Sequence, residues 1–349
     1  MSALAPVLEM RRGSIVESLH HGALAVADVA GNLVASVGDP DLVTFLRSTA
    51  KPFQALPVIE SGAAARYAVT PQELALICAS HAGTDVHTRT AAGLLLRLGL
   101  SENDLLCGAH RPMDSESALR LDRAGESPTS IHNNCSGKHS GMLAHAAHLR
   151  EGGWDGAMPY IDPAHPIQQA NLAAVADMAG IDPAAIVVGV DGCSAPTFAL
   201  PLRHAARAFV RLMDPAGLSP ARTEACREIV SAMTSHPEMV SGRGRLDTEL
   251  IRLGAGRLIA KGGAEGYEGV GIAPGALGPG SPALGVALKI LDGDPMSRAL
   301  KAVTIEVLRQ LGAIDEAAVA ALADYAAGPI RNWRGVVVGE AKVCFELER

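Results

Sequence analysis

The sequence predicts an α+β protein, with an antiparallel sheet built from N- and C-terminal strands and a largely helical lobe inserted between them. Three observations carry this. Alternating apolar and polar runs bounded by turn signals lie towards both ends of the chain. The long middle carries apolar residues at helical spacing. The 349 residues suffice for two domains or one large mixed one, and no internal repeat or low-complexity linker divides them. A single catalytic domain over 1–349 is expected, with the sheet lobe at about 1–45 and 255–349 and the helical lobe at about 46–254.

The elements follow in order. GALAVADVAGNLVASVGD (Gly22–Asp39) alternates around a Gly-Asn turn and predicts a β-hairpin. TPQELALICAS opens with Thr70, Pro71 and Glu73, which are helix-start signals ahead of an apolar run. DVHTRTAAGLLLRLGL, GKHSGMLAHAAHLREGG and HPIQQANLAAVADMAG have helical periodicity and stop near glycine. Strand-like runs return as RLIAKGG, GYEGVGIAP and PALGVALKILDG, and two helices and a closing hairpin-like alternation follow.

Composition narrows the function. Net charge is −7, aromatics are 3%, and no basic block is interleaved with aromatics, so nucleic-acid binding is not expected. No apolar run reaches the ~18–20 residues of a membrane span. The N-terminal stretch lacks a secretory signal pattern, and a cytoplasmic location is the expectation. Six cysteines without a C-x-x-C are not a disulfide scaffold.

Ser48 and Lys51 form S-x-x-K, a spacing that puts both on one face of a helix. A serine hydroxyl is a poor nucleophile until a neighbouring base takes its proton, and a neutral lysine can be that base. Pro52 fits this geometry only if it lies in the first helical turn. Six lysines and many serines make one chance match unsurprising, so the motif needs companions. Acyl-enzymes using S-x-x-K add a second serine and a later K-T-G strand. Here Ser80 ends a helical run, and Lys261 ends a strand-like run followed by Gly262 and Gly263. The glycines would let a substrate lie against the strand. The pattern is inexact, because His81 and Ala82 follow Ser80 and Gly262 replaces threonine.

IHNNCSGKHSG contains Cys135, Lys138 and His139, and GVDGCSAP places Cys193 on a glycine-rich turn. Taken by spacing, Cys135 could be a thiol nucleophile, part of a metal site, or one of two buried thiols with a capping lysine.

RRGSIVESLHHG, RSTAKPFQALP, ICASHAG, HNNCSGKHSGML, VDGCSAPTFALPL, GRGRLDTEL and AKGGAEGYEGVGIA together resemble the type II asparaginase family found in rhizobia. The blocks run from Arg11 to about Asp292. The resemblance implies a fold similar to serine β-lactamases and penicillin-binding proteins. It implies hydrolysis of L-asparagine to L-aspartate and ammonia by an amidohydrolase with two Ser–Lys pairs, Ser48 with Lys51 and Ser80 with Lys261. It also implies one zinc ion per subunit held by Cys135, Lys138 and Cys193, with Asp191 and His139 supporting these ligands, and a homodimer. Thiolates suit zinc, and a lysine ligand must be neutral. Read by position, Arg47 beside Ser48 is either a ligand for the substrate α-carboxylate or a surface helix charge, and Glu265 in GGAEG either positions the substrate amine or caps a turn. Arg12, Glu17, His20 and His21 receive no role. The rival expectations are a serine acyl hydrolase of other specificity and a non-catalytic, zinc-dependent amino-acid-binding protein.

Overall fold

The structure, a computed structural model, describes residues 4–349. In chain order the strands are β1 (Ala5–Arg12), β2 (Ile15–Ala27), β3 (Leu33–Val37), β4 (Val43–Phe45), β5 (Val187–Val190), β6 (Pro196–Pro201), β7 (Leu258–Gly263), β8 (Tyr267–Ile272), β9 (Leu284–Ile290), β10 (Pro329–Arg331) and β11 (Val337–Val343). The helices are α1 (Lys51–Glu60), α2 (Ala63–Arg66), α3 (Pro71–Ile77), α4 (Asp85–Arg97), α5 (Ser115–Ala124), α6 (Ser136–Glu151) and α7 (Pro166–Ala179). They continue with α8 (Leu202–Met213), α9 (Pro220–Ser235), α10 (Pro237–Val240), α11 (Leu246–Gly254), α12 (Leu300–Leu311) and α13 (Glu316–Ala321). Two compact units result. One holds the residues up to Thr49, Leu200–Asp214 and Leu253–Arg349, and the other holds Ala50–Ala199 and Pro215–Arg252.

The first unit is built on one sheet of order β10-β11-β1-β2-β9-β8-β7, with β3 on β2. Its pairings are antiparallel, and β2 meets β9 from Gly22 opposite Ile290 to Ala27 opposite Gly285. The sheet is therefore made by both termini, and the fold class is α+β as the sequence predicts. Residues of β8 and β9 are buried throughout, and such strands read as continuous apolar runs because both faces are covered. The predicted Gly22–Asp39 hairpin is the end of β2 with β3. The longer hairpin of β1 with β2 carries no such signal. Its tip is polar, while Ile15, Val16 and Leu19 are exposed, so no inward-facing alternation marks it.

Helix α8 packs on β2, β8 and β9, although it falls inside the segment expected to form the helical lobe. Glycines explain the fit. A Cβ at Gly285 would collide with the Ala206 carbonyl oxygen, and one at Gly269 would collide with the Phe209 ring. Helix and sheet approach closely only because those side chains are missing.

In the second unit α1 packs on α6, α7 and α9, and α3 packs on α6 and α9. The start signals of α3 form as predicted. Thr70 Oγ1 accepts from the Glu73 N–H at 3.2 Å, and Glu73 Oε2 accepts from the Thr70 N–H at 2.9 Å. Strand β5 pairs antiparallel with β6. Gly137 and Gly141 of α6 face α3. A Cβ at Gly137 would collide with the Leu76 carbonyl oxygen, and one at Gly141 would stand 2.7 Å from Ile77 Cγ2. Gly137→Ala should therefore destabilise the protein by about 1–3 kcal/mol through overpacking. A urea unfolding midpoint equal to wild type would show that the two helices part without cost.

Candidate active site and thiolate cluster

Each unit carries part of the residue set singled out by sequence. In the first unit, a 3₁₀ turn spans Arg47–Ala50 and leads directly into α1. The Thr49 N–H and hydroxyl both donate to the Leu46 carbonyl, at 3.1 and 2.7 Å. Ser48 is buried within this turn. Arg47 holds φ 52°, a left-handed conformation that costs a non-glycine residue energy. Glu265 (φ 62°) and Ser194 (φ 69°) share it, so strained backbone adjoins Ser48 and Cys193 and includes Glu265 itself. Arg47 Nη1 lies 3.9 Å from Glu265 Oε1. Lys261 is fully buried on β7, and its Nζ donates to the Gly262 carbonyl at 2.6 Å. Gly263 also has a structural use. A Cβ there would lie 2.9 Å from the Leu46 carbonyl oxygen, so its bare backbone admits the turn that carries Ser48.

In the second unit Lys51 is the first residue of α1, with Pro52 in the first turn, where its missing N–H costs nothing. Lys51 is 1% exposed. Its Nζ donates to the Ala79 carbonyl at 2.6 Å, to Ser80 Oγ at 3.0 Å and to the Asn134 carbonyl at 3.3 Å. Two residues that the family resemblance assigns to separate pairs thus stand within one hydrogen bond. Ser80 follows α3 and is fixed by its N–H donating to the Val240 carbonyl at 2.9 Å. His81 is occupied elsewhere. Its Nδ1 accepts from the Gly83 N–H at 3.1 Å, and its Nε2 meets Ser136 Oγ at 2.9 Å. Burial, then the neighbouring His87, pushes it well below the usual histidine range.

Cys135 precedes α6, and Lys138 lies in its first turn. Asn133 sets the approach. Its Oδ1 accepts from the Cys135 N–H at 2.8 Å, and its Nδ2 donates to the Cys107 carbonyl at 2.9 Å. The signal for such a turn in the sequence is an asparagine three residues before a helix start. Lys138 is 3% exposed, and its Nζ donates to Cys193 Sγ at 3.1 Å. A hydrogen bond from Cys193 outweighs burial and holds the Cys135 thiol well below its usual value, with Lys51 and Lys138 adding to this. Cys193, sharing that hydrogen with Cys135 and buried, is raised. Burial would lower Lys138, but the charges of Cys193 and Cys135 more than reverse this and raise it. Burial also pushes the nearby Cys107 thiol up to about 11, which keeps it protonated.

Asp191 shapes the turn that presents Cys193. Its N–H donates to the Ala195 carbonyl, and its Oδ1 accepts from the Gly192 N–H at 2.8 Å. His139 is fully buried beside the cluster, with Nδ1 2.7 Å from the Tyr160 hydroxyl. Burial pushes it down to about 4. Nothing local in the sequence marks Tyr160. Among the described residues no three histidine, cysteine, aspartate or glutamate side chains converge on a metal position. The donor set here is two sulfurs and an amine.

Other residues of the family-like blocks are engaged away from these groups. Arg12 pairs with Glu17 at 2.7 Å, His20 Nδ1 with Asp292 at 2.8 Å, and His132 Nδ1 accepts from the Thr129 N–H at 3.1 Å. A surface cavity of about 640 Å³, lined among others by Arg66, Tyr67, Arg97, Arg150 and Glu151, includes none of the candidate residues. Among the described residues no helix is long and apolar enough to cross a membrane.

Comparison with known proteins places the chain among the amidohydrolases, which act on small-molecule substrates. The matching profile is that of L-asparaginase II, over residues 8–343, and the chain belongs to this family. No curated protein matches in sequence. Among solved structures, Mglu in its native form is 15% identical with a TM-score of 0.38, covering 85% of this chain and 66% of its own. A Bacillus subtilis glutaminase, YbgJ, in covalent complex with 5-oxo-L-norleucine is 12% identical with a TM-score of 0.35, covering 87% and 88%. A point mutant of the class A β-lactamase of the last common ancestor of Gram-negative bacteria is 14% identical with a TM-score of 0.37, covering 82% and 93%.

Proposed function

We propose that the protein is an L-asparaginase that works through an ester on Ser48. Membership of the L-asparaginase II family over residues 8–343 is the observation that supports this most. Ser48 Oγ attacks the side-chain amide carbon of L-asparagine, and Lys51, three residues later in the chain, accepts the hydroxyl proton. Ser80, hydrogen-bonded to Lys51 at 3.0 Å, passes a proton together with Lys261 to the leaving ammonia. Backbone N–H groups, that of Ser48 among them, stabilise the oxyanion. Water then cleaves the ester, releasing L-aspartate and regenerating the serine. Arg47 and Glu265, of opposite charge and 3.9 Å apart, suit the carboxylate and ammonium of an amino acid. Ammonia release from L-asparagine, compared with L-glutamine, a nitrocefin-type substrate and an ester, tests the assignment.

Cys135, Lys138 and Cys193 fit a zinc ion by donor chemistry. A sulfur already favouring the thiolate, a second sulfur and an amine in contact with it share one buried cluster. A zinc ion bound there would orient the substrate rather than generate the attacking group, since two thiolates blunt its acidity. Without metal, Lys138 keeps its proton and the two sulfurs share one. Zinc uptake near neutral pH should therefore release about two protons, and affinity should rise with pH. Calorimetry in buffers of different ionisation enthalpy reads the number, and release of only about one proton would mean that Lys138 does not bind the metal. Protein purified without added metal should carry about one zinc per chain. A content below roughly a tenth of that with full activity would remove the metal from function.

A further inference from the structure

We infer that the neutral imidazole of His81 positions Lys51, by tying the segment that follows α3 to the segment that enters α6. Lys51 Nζ donates to three acceptors. Two of them, the Ala79 carbonyl and Ser80 Oγ, follow α3, and the third, the Asn134 carbonyl, precedes α6. The cradle of the amine is thus cut from two separate pieces of chain, and its shape depends on what holds them together. His81 lies in the first piece, next to Ser80, and its N–H donates to the Asn134 carbonyl at 3.2 Å. Its side chain is fully buried and completes the tie. Nδ1 accepts from the Gly83 N–H at 3.1 Å, and Nε2 stands 2.9 Å from the Ser136 hydroxyl.

The tautomer follows from these partners. A backbone N–H can only donate, so Nδ1 keeps its lone pair and the proton of the neutral ring is at Nε2. Ser136 Oγ accepts that proton, since its own hydroxyl donates to the Ile131 carbonyl at 2.9 Å. Donation thus runs one way, from Gly83 through His81 and Ser136 to Ile131. Gly83 holds φ 77°, and a Cβ there would stand 3.1 Å from the His132 carbonyl oxygen, so the turn that caps Nδ1 calls for glycine. His87 stacks on the ring, with centroids 5.1 Å and planes 16° apart. It is oriented in the same way, its Nδ1 accepting from the Thr84 N–H at 3.3 Å and its Nε2 facing the Glu238 carbonyl at 3.0 Å. An added proton on His81 Nδ1 would meet the Gly83 N–H donor to donor, which keeps the ring out of proton transfer although it adjoins Ser80. His81 is therefore a positioning residue, acting on Lys51 through Ser80 and Asn134.

The effect on rate rests on the catalytic role proposed above for Lys51, whereas the tie itself does not. Nitrogen-15 NMR of histidine-labelled full-length protein should show His81 as the Nε2–H form, and an Nδ1–H form overturns the proposal. His81→Phe keeps a ring to stack on His87 but neither hydrogen bond. It should lower kcat roughly ten- to a hundredfold with KM little changed, because a placed base matters in the transition state. Ser136→Ala removes the acceptor of the same bond and should repeat the loss, and wild-type kcat in both variants overturns the proposal. His81→Gln, whose amide N–H falls near the place of Nε2–H, should recover most of the rate. In Lys51→Met protein, His81→Phe should cost little more, since no amine is left to place. An equal loss in both backgrounds, a loss confined to KM, or no recovery by His81→Gln marks His81 as merely structural and overturns the proposal. A wild type inactive on L-asparagine sinks that substrate and leaves the tie testable in lysine-labelled protein. There His81→Phe should shift the Nζ resonance that Lys51→Met removes, and an unmoved resonance overturns the proposal.

Discussion

Ser48→Ala should reduce ammonia release from L-asparagine by roughly 10⁴- to 10⁶-fold, about 5–8 kcal/mol of transition-state stabilisation. The serine is buried in a turn whose preceding residue, Arg47, holds a left-handed φ of 52°. Removing a single hydroxyl from such a site leaves the Leu46–Thr49 hydrogen bonds in place, so a loss of rate reports chemistry rather than unfolding. Mass spectrometry of wild-type protein quenched with a slow substrate should find the acyl adduct on Ser48. An adduct on Cys135 would transfer the nucleophile to the thiolate cluster, where the low-lying Cys135 thiol is the natural rival. Thiol alkylation cannot separate the two, because it would also remove proposed metal ligands. If wild-type protein releases no ammonia from L-asparagine, the proposed substrate is wrong whatever the variant does.

Lys51→Met should lose about 10²- to 10⁴-fold in kcat, the range of a general base, with a circular dichroism spectrum like that of wild type. Methionine fills a similar volume, but it cannot donate to the Ala79 and Asn134 carbonyls or to Ser80 Oγ. Leaving those buried acceptors unpaired costs about 1–3 kcal/mol each at most, which a folded protein of this size should withstand. Because Lys51 reaches Ser80 directly, Lys51→Met and Ser80→Ala should be far less than additive, as groups acting as one unit are. Ordinary turnover by Lys51→Met would remove it from the chemistry. Full additivity with Ser80→Ala would mean that the 3.0 Å contact carries no shared step.

Much of this protein is legible from local pattern. Alternation near the two ends gives a sheet from both termini, and the Thr70–Glu73 box marks the start of α3, because pleat, helical repeat and capping act over a few residues. The spacing S-x-x-K, the serine after α3 and the cysteine–lysine loop identify groups able to do chemistry, since reactivity resides in the side chain. Neighbourhood is different. No period announces that α8 joins the sheet, that Gly137 and Gly141 seat α6 on α3, or that Gly263 admits the turn at Leu46. Those depend on which missing Cβ atoms face which backbone after the chain has closed on itself. Likewise the sequence supplies Tyr160 and His139 twenty-one residues apart, and only packing brings the hydroxyl within 2.7 Å of the imidazole.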